Sequence, residues 1–145
     1  MPIITRIDYE TAHGARELSQ LTDRDGDGEA DDEVFEQARD QAESLMGSYI
    51  AVRVRLPLPA TLPDGSAQIL RNLALAITRY YLFDQAPTDA VSTRYDQAMT
   101  WLKDFAKGLN ALPGLSDAAP TSQSVGDLDW TTPLRVFSGA TLSDF

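Results

Sequence analysis

Three aspartates alternate within residues 21–33, LTDRDGDGEADDE, and they are the side chains best placed to do chemistry. Asp23, Asp25 and Asp27 lead to Gly28, and Glu29, Asp31, Asp32 and Glu33 follow. Alternating carboxylates before a glycine point several hard oxygens at one cation. The glycine permits the sharp turn that a wrapping backbone needs. The chemistry implied is binding of a divalent cation of the calcium type. The expected ligands are Asp23, Asp25, Asp27 and Asp31, with the Glu29 carbonyl as a further oxygen.

Set against the EF-hand loop, Asp23, Asp25, Asp27 and Gly28 fall at positions 1, 3, 5 and 6, and Asp31 falls at position 9. Position 12, a bidentate Glu in that pattern, is Val34, so a complete EF-hand is ruled out. A second reading needs no metal. Asp-Gly is turn chemistry, Asp31 or Asp32 suits the N-cap of a following helix, and acids in a first turn complement the helix dipole. Yet seven of these thirteen residues are acidic, with only Arg24 to offset them. Each close pair costs about 1 kcal/mol even in water, and a cation would remove that cost. Both readings stand on the sequence alone.

Little else is equipped for catalysis. His13 is the only histidine and there is no cysteine, so thiolate and disulfide chemistry are absent. No Ser-His pair, GxSxG motif or phosphate loop occurs. The acids cluster in a turn, away from any apolar run that would raise a carboxyl pKa. The expectation is a protein that is not an enzyme.

The 145 residues suit one modest domain, and 43% hydrophobic content supplies a core. No apolar stretch approaches the ~18 residues of a membrane span, and MPIITRIDYE lacks a signal-peptide core. The expected setting is a cytoplasm, with no membrane partner. The formal charge of −10 is unevenly spread. Residues 1–48 hold 13 acids and 4 bases, residues 49–110 hold 5 and 7, and residues 111–145 hold 4 and 1. An acidic front third is not a binder of phosphate backbones. The mildly basic middle suits an acidic partner, such as another copy of the chain.

The elements that must position these groups are helical. Thr5 and Asp8 form a capping box for a short helix from about Arg6 to His13, which Gly14 ends. Ala15–Leu21 predicts a second short helix before the acidic turn. From Asp32, the apolar residues Val34, Phe35, Ala38, Ala42, Leu45, Met46, Tyr49 and Ile50 recur at helical spacing as far as Ala51–Arg53. RLPLPATLPDGS then reads as an extended linker. Ser66 is expected to cap a helix reaching Phe83, apolar over a wide arc and so central, with Leu73, Ile77 and Tyr80 at its heart. Thr88 caps a last long helix that Gly108 ends. Tyr80, Tyr81 and Trp101 read as core.

Residues 111–145 differ in kind. Pro and Gly recur among Ser, Thr, Asp and Ala, yet Trp130, Leu134, Val136, Phe137, Leu142 and Phe145 are too apolar for a solvating tail. The segment reads as an arm with spaced anchors that docks on a surface. The fold class is therefore all-α. A small bundle of about three long and one or two short helices has a Pro-rich linker and an extended C-terminal arm. The division is a helical domain over 1–110 and an arm over 111–145.

The order of these pieces carries a resemblance. A short capped helix precedes LTDRDGDGEADDEVF, then RLPLP, LRNLALAITRYYLF, RYDQAMTWLKDFAKG and a terminal VFSGATLSDF. Together they resemble the Mu-like phage and prophage family of small head–tail joining proteins, over residues 3–110 and the last ten. The resemblance implies an adaptor ring in the virion neck, assembled in the host cytoplasm. It implies further copies of the chain in a twelvefold ring as partners, with the portal protein and tail-terminator or tail proteins. DNA would pass through the lumen without specific binding. The resemblance carries no catalytic residues. The competing expectation, from the acidic turn, is a monomeric calcium-dependent protein-binding module.

Overall fold

Thr5 begins the first helix. Its hydroxyl accepts from the Asp8 backbone N–H while Asp8 accepts from the Thr5 N–H at 2.8 Å, the reciprocal capping box expected. The computed structural model describes residues 2–84 and 86–115. Among the described residues there are five helices and no strand: α1 (Arg6–His13), α2 (Ala15–Thr22), α3 (Asp32–Ile50), α4 (Asp64–Leu82) and α5 (Asp89–Ala106). Gly14, at φ +93°, both ends α1 and opens α2, a conformation that favours glycine.

The all-α expectation holds, and α4 is the spine. It packs on both α3 and α5, which also meet each other. Leu70, Ala74 and Ile77 are fully buried, with Leu73, Leu75 and Leu82 nearly so. Burying each such Leu or Ile is worth about 1.5–3 kcal/mol. Phe35, Ala42, Met46 and Ile50 from α3 and Leu102 and Phe105 from α5 complete the core. Two details differ from expectation. Tyr80 is only half-buried and stacks on Tyr95 at a centroid distance of 4.0 Å, whereas Leu73 and Ile77 are buried as expected, with Leu70 and Ala74 beside them. Ser66 is not the cap. Pro63 holds that position, and the buried Ser66 hydroxyl donates to the Pro113 carbonyl at 2.6 Å. Serine favours helix caps, but here a distant carbonyl supplies its partner.

Thr88 caps α5 as expected, accepting from the Val91 N–H. At the other end Gly108, at φ +84°, turns the chain, and Arg53 closes the site. The Arg53 guanidinium donates to the carbonyls of Phe105 at 3.0 Å and Asn110 at 2.8 Å. It also lies over the Phe105 ring at 5.1 Å. A cation thus satisfies carbonyls at a helix C-terminus, where both hydrogen bonding and the dipole favour it. Beyond residue 110, Leu112 is buried in the core and Pro113 lies against the start of α4. The anchors expected in the arm, Trp130, Phe137 and Phe145 among them, lie outside the described residues.

Candidate acidic turn and assembly surfaces

The acidic run forms the connection between α2 and α3, and its own backbone shapes it. Asp23 accepts from the N–H of Gly26 at 2.6 Å and of Gly28 at 3.0 Å, one on each carboxylate oxygen. Asp25 accepts from the Asp27 N–H at 3.3 Å and Asp27 from the Glu29 N–H at 2.8 Å. Both glycines need positive φ, +81° and +84°. Thr22, fully buried, locks the base. Its hydroxyl donates to the Leu18 carbonyl at 2.8 Å and accepts from the Asp31 N–H at 3.1 Å.

This geometry brings together Asp23, Asp25 and Asp27, each offering one carboxylate oxygen, all within 4.8 Å of one another. Glu29 and Asp31 are not in that group. Asp31 occupies the N-cap of α3 but makes no side-chain cap hydrogen bond, and Val34 lies part-buried in the first turn of that helix. The donors are hard oxygens, the type calcium takes. Three side chains fall short of its usual six to eight ligands, which backbone and water would have to complete.

A second group ties three helices at one point. Arg79 of α4 donates Nε to Glu17 Oε1 at 2.8 Å and Nη2 to Oε2 at 2.7 Å, and the Tyr9 hydroxyl donates to the same Oε1 at 3.1 Å. Burial, reinforced by the Glu17 carboxylate, pushes the Tyr9 phenol well above its ordinary range. His13 sits beside this group in a cleft of about 380 Å³ that Arg79 and Arg94 also line. Burial first, then the charges of Arg79 and Arg94, hold the imidazole below its ordinary pKa, against the opposing pull of Glu17. Its Nε2 is buried without a hydrogen-bond partner among the described residues. No local pattern marks this group in the sequence, because Glu17 and Arg79 lie 62 residues apart.

The surface carries apolar side chains at separate places. Ile7 is 73% exposed, Val52 63%, Leu109 72% and Leu56 42%. Leu56 belongs to a groove of about 480 Å³ between the Pro-rich linker, the N-terminal residues and the faces of α3 and α4. Charge is distributed differently. The acids of α1, α2, the turn and early α3 contrast with the bases of residues 49–110. Arg71 and Arg79, eight apart on α4, both reach back to acids of that front section, Arg71 to Asp8 at 3.9 Å and Arg79 to Glu17. No helix of the described residues is long and apolar enough to cross a membrane.

A family model described as Bacteriophage Mu, Gp36 matches residues 4–128. Gene product J of Escherichia phage Mu is 28% identical over 102 residues, which cover 70% of this chain and 68% of that protein.

Proposed function

The chain belongs to the Bacteriophage Mu Gp36 family. On that premise we propose that it is a structural adaptor of a Mu-like phage neck, forming a ring between portal and tail. It is a part of the virion, assembled in the host cytoplasm, and not an enzyme. Its partners are further copies of itself in a twelvefold ring, the portal protein and the tail-terminator or tail proteins. DNA passes through the lumen without specific binding.

The observation that carries this reading is the family match across residues 4–128. The surface supports it. A closed ring needs heterologous contacts, in which one patch meets a different patch on the next copy. An acid-rich section from α1 to early α3, a more basic section from residue 49 on, and exposed Ile7, Val52 and Leu109 give one chain such unlike patches. The test is genetic. A phage lacking the gene should yield filled heads and separate tails, and supplying the chain should restore joined particles. Infectious virions in normal numbers without the gene would refute the role.

We further propose that the turn of Asp23, Asp25 and Asp27 takes a calcium ion that stiffens the α2–α3 connection. The convergence of their oxygens within 4.8 Å, added to the spacing read from the sequence, supports it. Calcium at millimolar concentration should raise the melting temperature, since a ligand selective for the folded state stabilises it. Asp25→Asn should weaken that response. An unchanged melt in the parent chain would make the run a turn and nothing more.

A further inference from the structure

The groove beside the Pro-rich linker is an apolar site that the described residues leave open. Ile3, Ile50, Leu56, Pro57, Leu58 and Leu62 are among the residues that line it. Its volume of about 480 Å³ lies in the range of ligand-sized pockets, roughly 300–1,000 Å³. Pro57 and Pro59 have no N–H, so that wall presents apolar carbon where another residue would present a donor. The rim is polar. Glu43 is already engaged, accepting from the N–H groups of Ile3 at 2.6 Å and Ile4 at 3.3 Å. Arg71 is less committed. Its nearest acid, Asp8, is 3.9 Å away, and its side chain is 47% exposed.

Near its described end the chain runs beside this groove. Pro113 accepts from Ser66 at 2.6 Å, and a Cβ built on Gly114 would come within 2.7 Å of Pro63. Leu62 and Ala67, either side of that contact, are groove residues. Pro113 and Gly114 thus contact the sequence neighbours of two groove residues, only a few positions before residue 116. Residues 116–145 carry Leu128, Trp130, Leu134, Val136, Phe137, Leu142 and Phe145, with Asp127 and Asp129 flanking Leu128. Residues 116–129 span up to about 50 Å when extended, so the tether does not limit reach. A tether of this kind holds a segment near its site at an effective concentration on the order of millimolar.

We propose that residues 116–145 of the same chain dock in this groove, with Trp130 as the apolar anchor and Asp127 or Asp129 paired with Arg71. The occupant matches the site in kind. An aromatic buries against proline and leucine, and acids from a segment with four Asp and one Arg meet the exposed guanidinium. Trp is also among the residue types enriched at the energetic centres of such contacts. The inference goes beyond the neck reading and does not depend on it, since it concerns the isolated chain.

The absence of native cysteine makes the test clean. In the full-length chain, Ala60→Cys on the exposed groove wall is combined with Thr131→Cys, next to Trp130, and oxidised at low protein concentration. An intramolecular disulfide in a monomer is expected. The control pairs Thr131→Cys with Gln97→Cys, which lines a separate shallow depression on α5 and should cross-link poorly. Disulfide-linked dimers would assign the segment to a second copy and overturn the proposal, as would equal yields from the two pairs. A second measurement uses Trp101→Phe, which leaves Trp130 as the only indole. Its fluorescence should be shielded from iodide, and Leu56→Glu should abolish that shielding. An indole open to iodide before the groove is altered would also refute the docking.

Discussion

Arg79 grips Glu17 through two parallel N–H···O bonds, at 2.8 and 2.7 Å, and this fork fastens α4 to α2. The Tyr9 hydroxyl on the same carboxylate adds α1. Both side chains of the ion pair are mostly buried, 20% and 25% exposed, so solvent screens it only in part. Hydrogen bonds to charged groups contribute about 1.5–3 kcal/mol, and a stranded partner raises the loss. Arg79→Ala should therefore cost about 2–3 kcal/mol in chemical denaturation. Arg79→Lys keeps the charge but loses the fork, and should recover less than half of that. A negligible cost for Arg79→Ala would mean that α1 and α2 are held by apolar packing alone.

His13 gives the fold a pH dependence. Its folded pKa lies below the ordinary 6.5, through burial, Arg79 and Arg94. Between the folded value and 6.5 the unfolded chain binds a proton that the folded chain does not, so stability falls as pH drops below about 6.5. Asp8 acts lower on the scale. The Thr5 N–H holds its carboxyl below the ordinary 3.8, so its contribution is present above that value and is lost as pH falls through the folded pKa. Melting temperature should thus decline in two separate stages on acidification. His13→Gln should remove the upper stage and leave the lower one.

Thr22 makes its own prediction. Thr22→Val keeps the shape but strands the Asp31 N–H at the base of the turn. A buried donor left unpaired costs about 1–3 kcal/mol. Amide exchange across residues 23–31 should quicken in that variant, while exchange within α4 should change only with global stability. Unaltered exchange in the turn would show that the aspartate–glycine hydrogen bonds hold it unaided.

The core can be ranked. Ile77 is fully buried on α4, so Ile77→Ala should cost about 2–5 kcal/mol. Tyr80 is half-buried against Tyr95, and Tyr80→Phe keeps the stack, so its effect should stay below about 1 kcal/mol. The reverse ranking, read from urea midpoints, would displace the centre of the bundle.

How much of this was legible in the sequence depended on the range of the interaction. Thr5 with Asp8, Thr88 with Val91 and the apolar stripes of α3, α4 and α5 are local, and spacing alone reveals them. The turn is legible as a cluster, and the carboxylates of Asp23, Asp25 and Asp27 converge in it, while Asp31 sits at the helix start. The role of Ser66 is not local, because its partner, Pro113, lies 47 residues on. The Glu17–Arg79 fork and the groove gave no signal, being made by tertiary packing between segments that look ordinary alone.

The neck role is tested most directly by electron microscopy of the purified chain mixed with its cognate portal. A ring of this chain is expected on the tail-facing end of the portal, with symmetry matching it and acid-rich and basic sections of neighbouring copies in contact. Many-fold excess of the chain leaving portals bare, under conditions where other neck components bind, would contradict it.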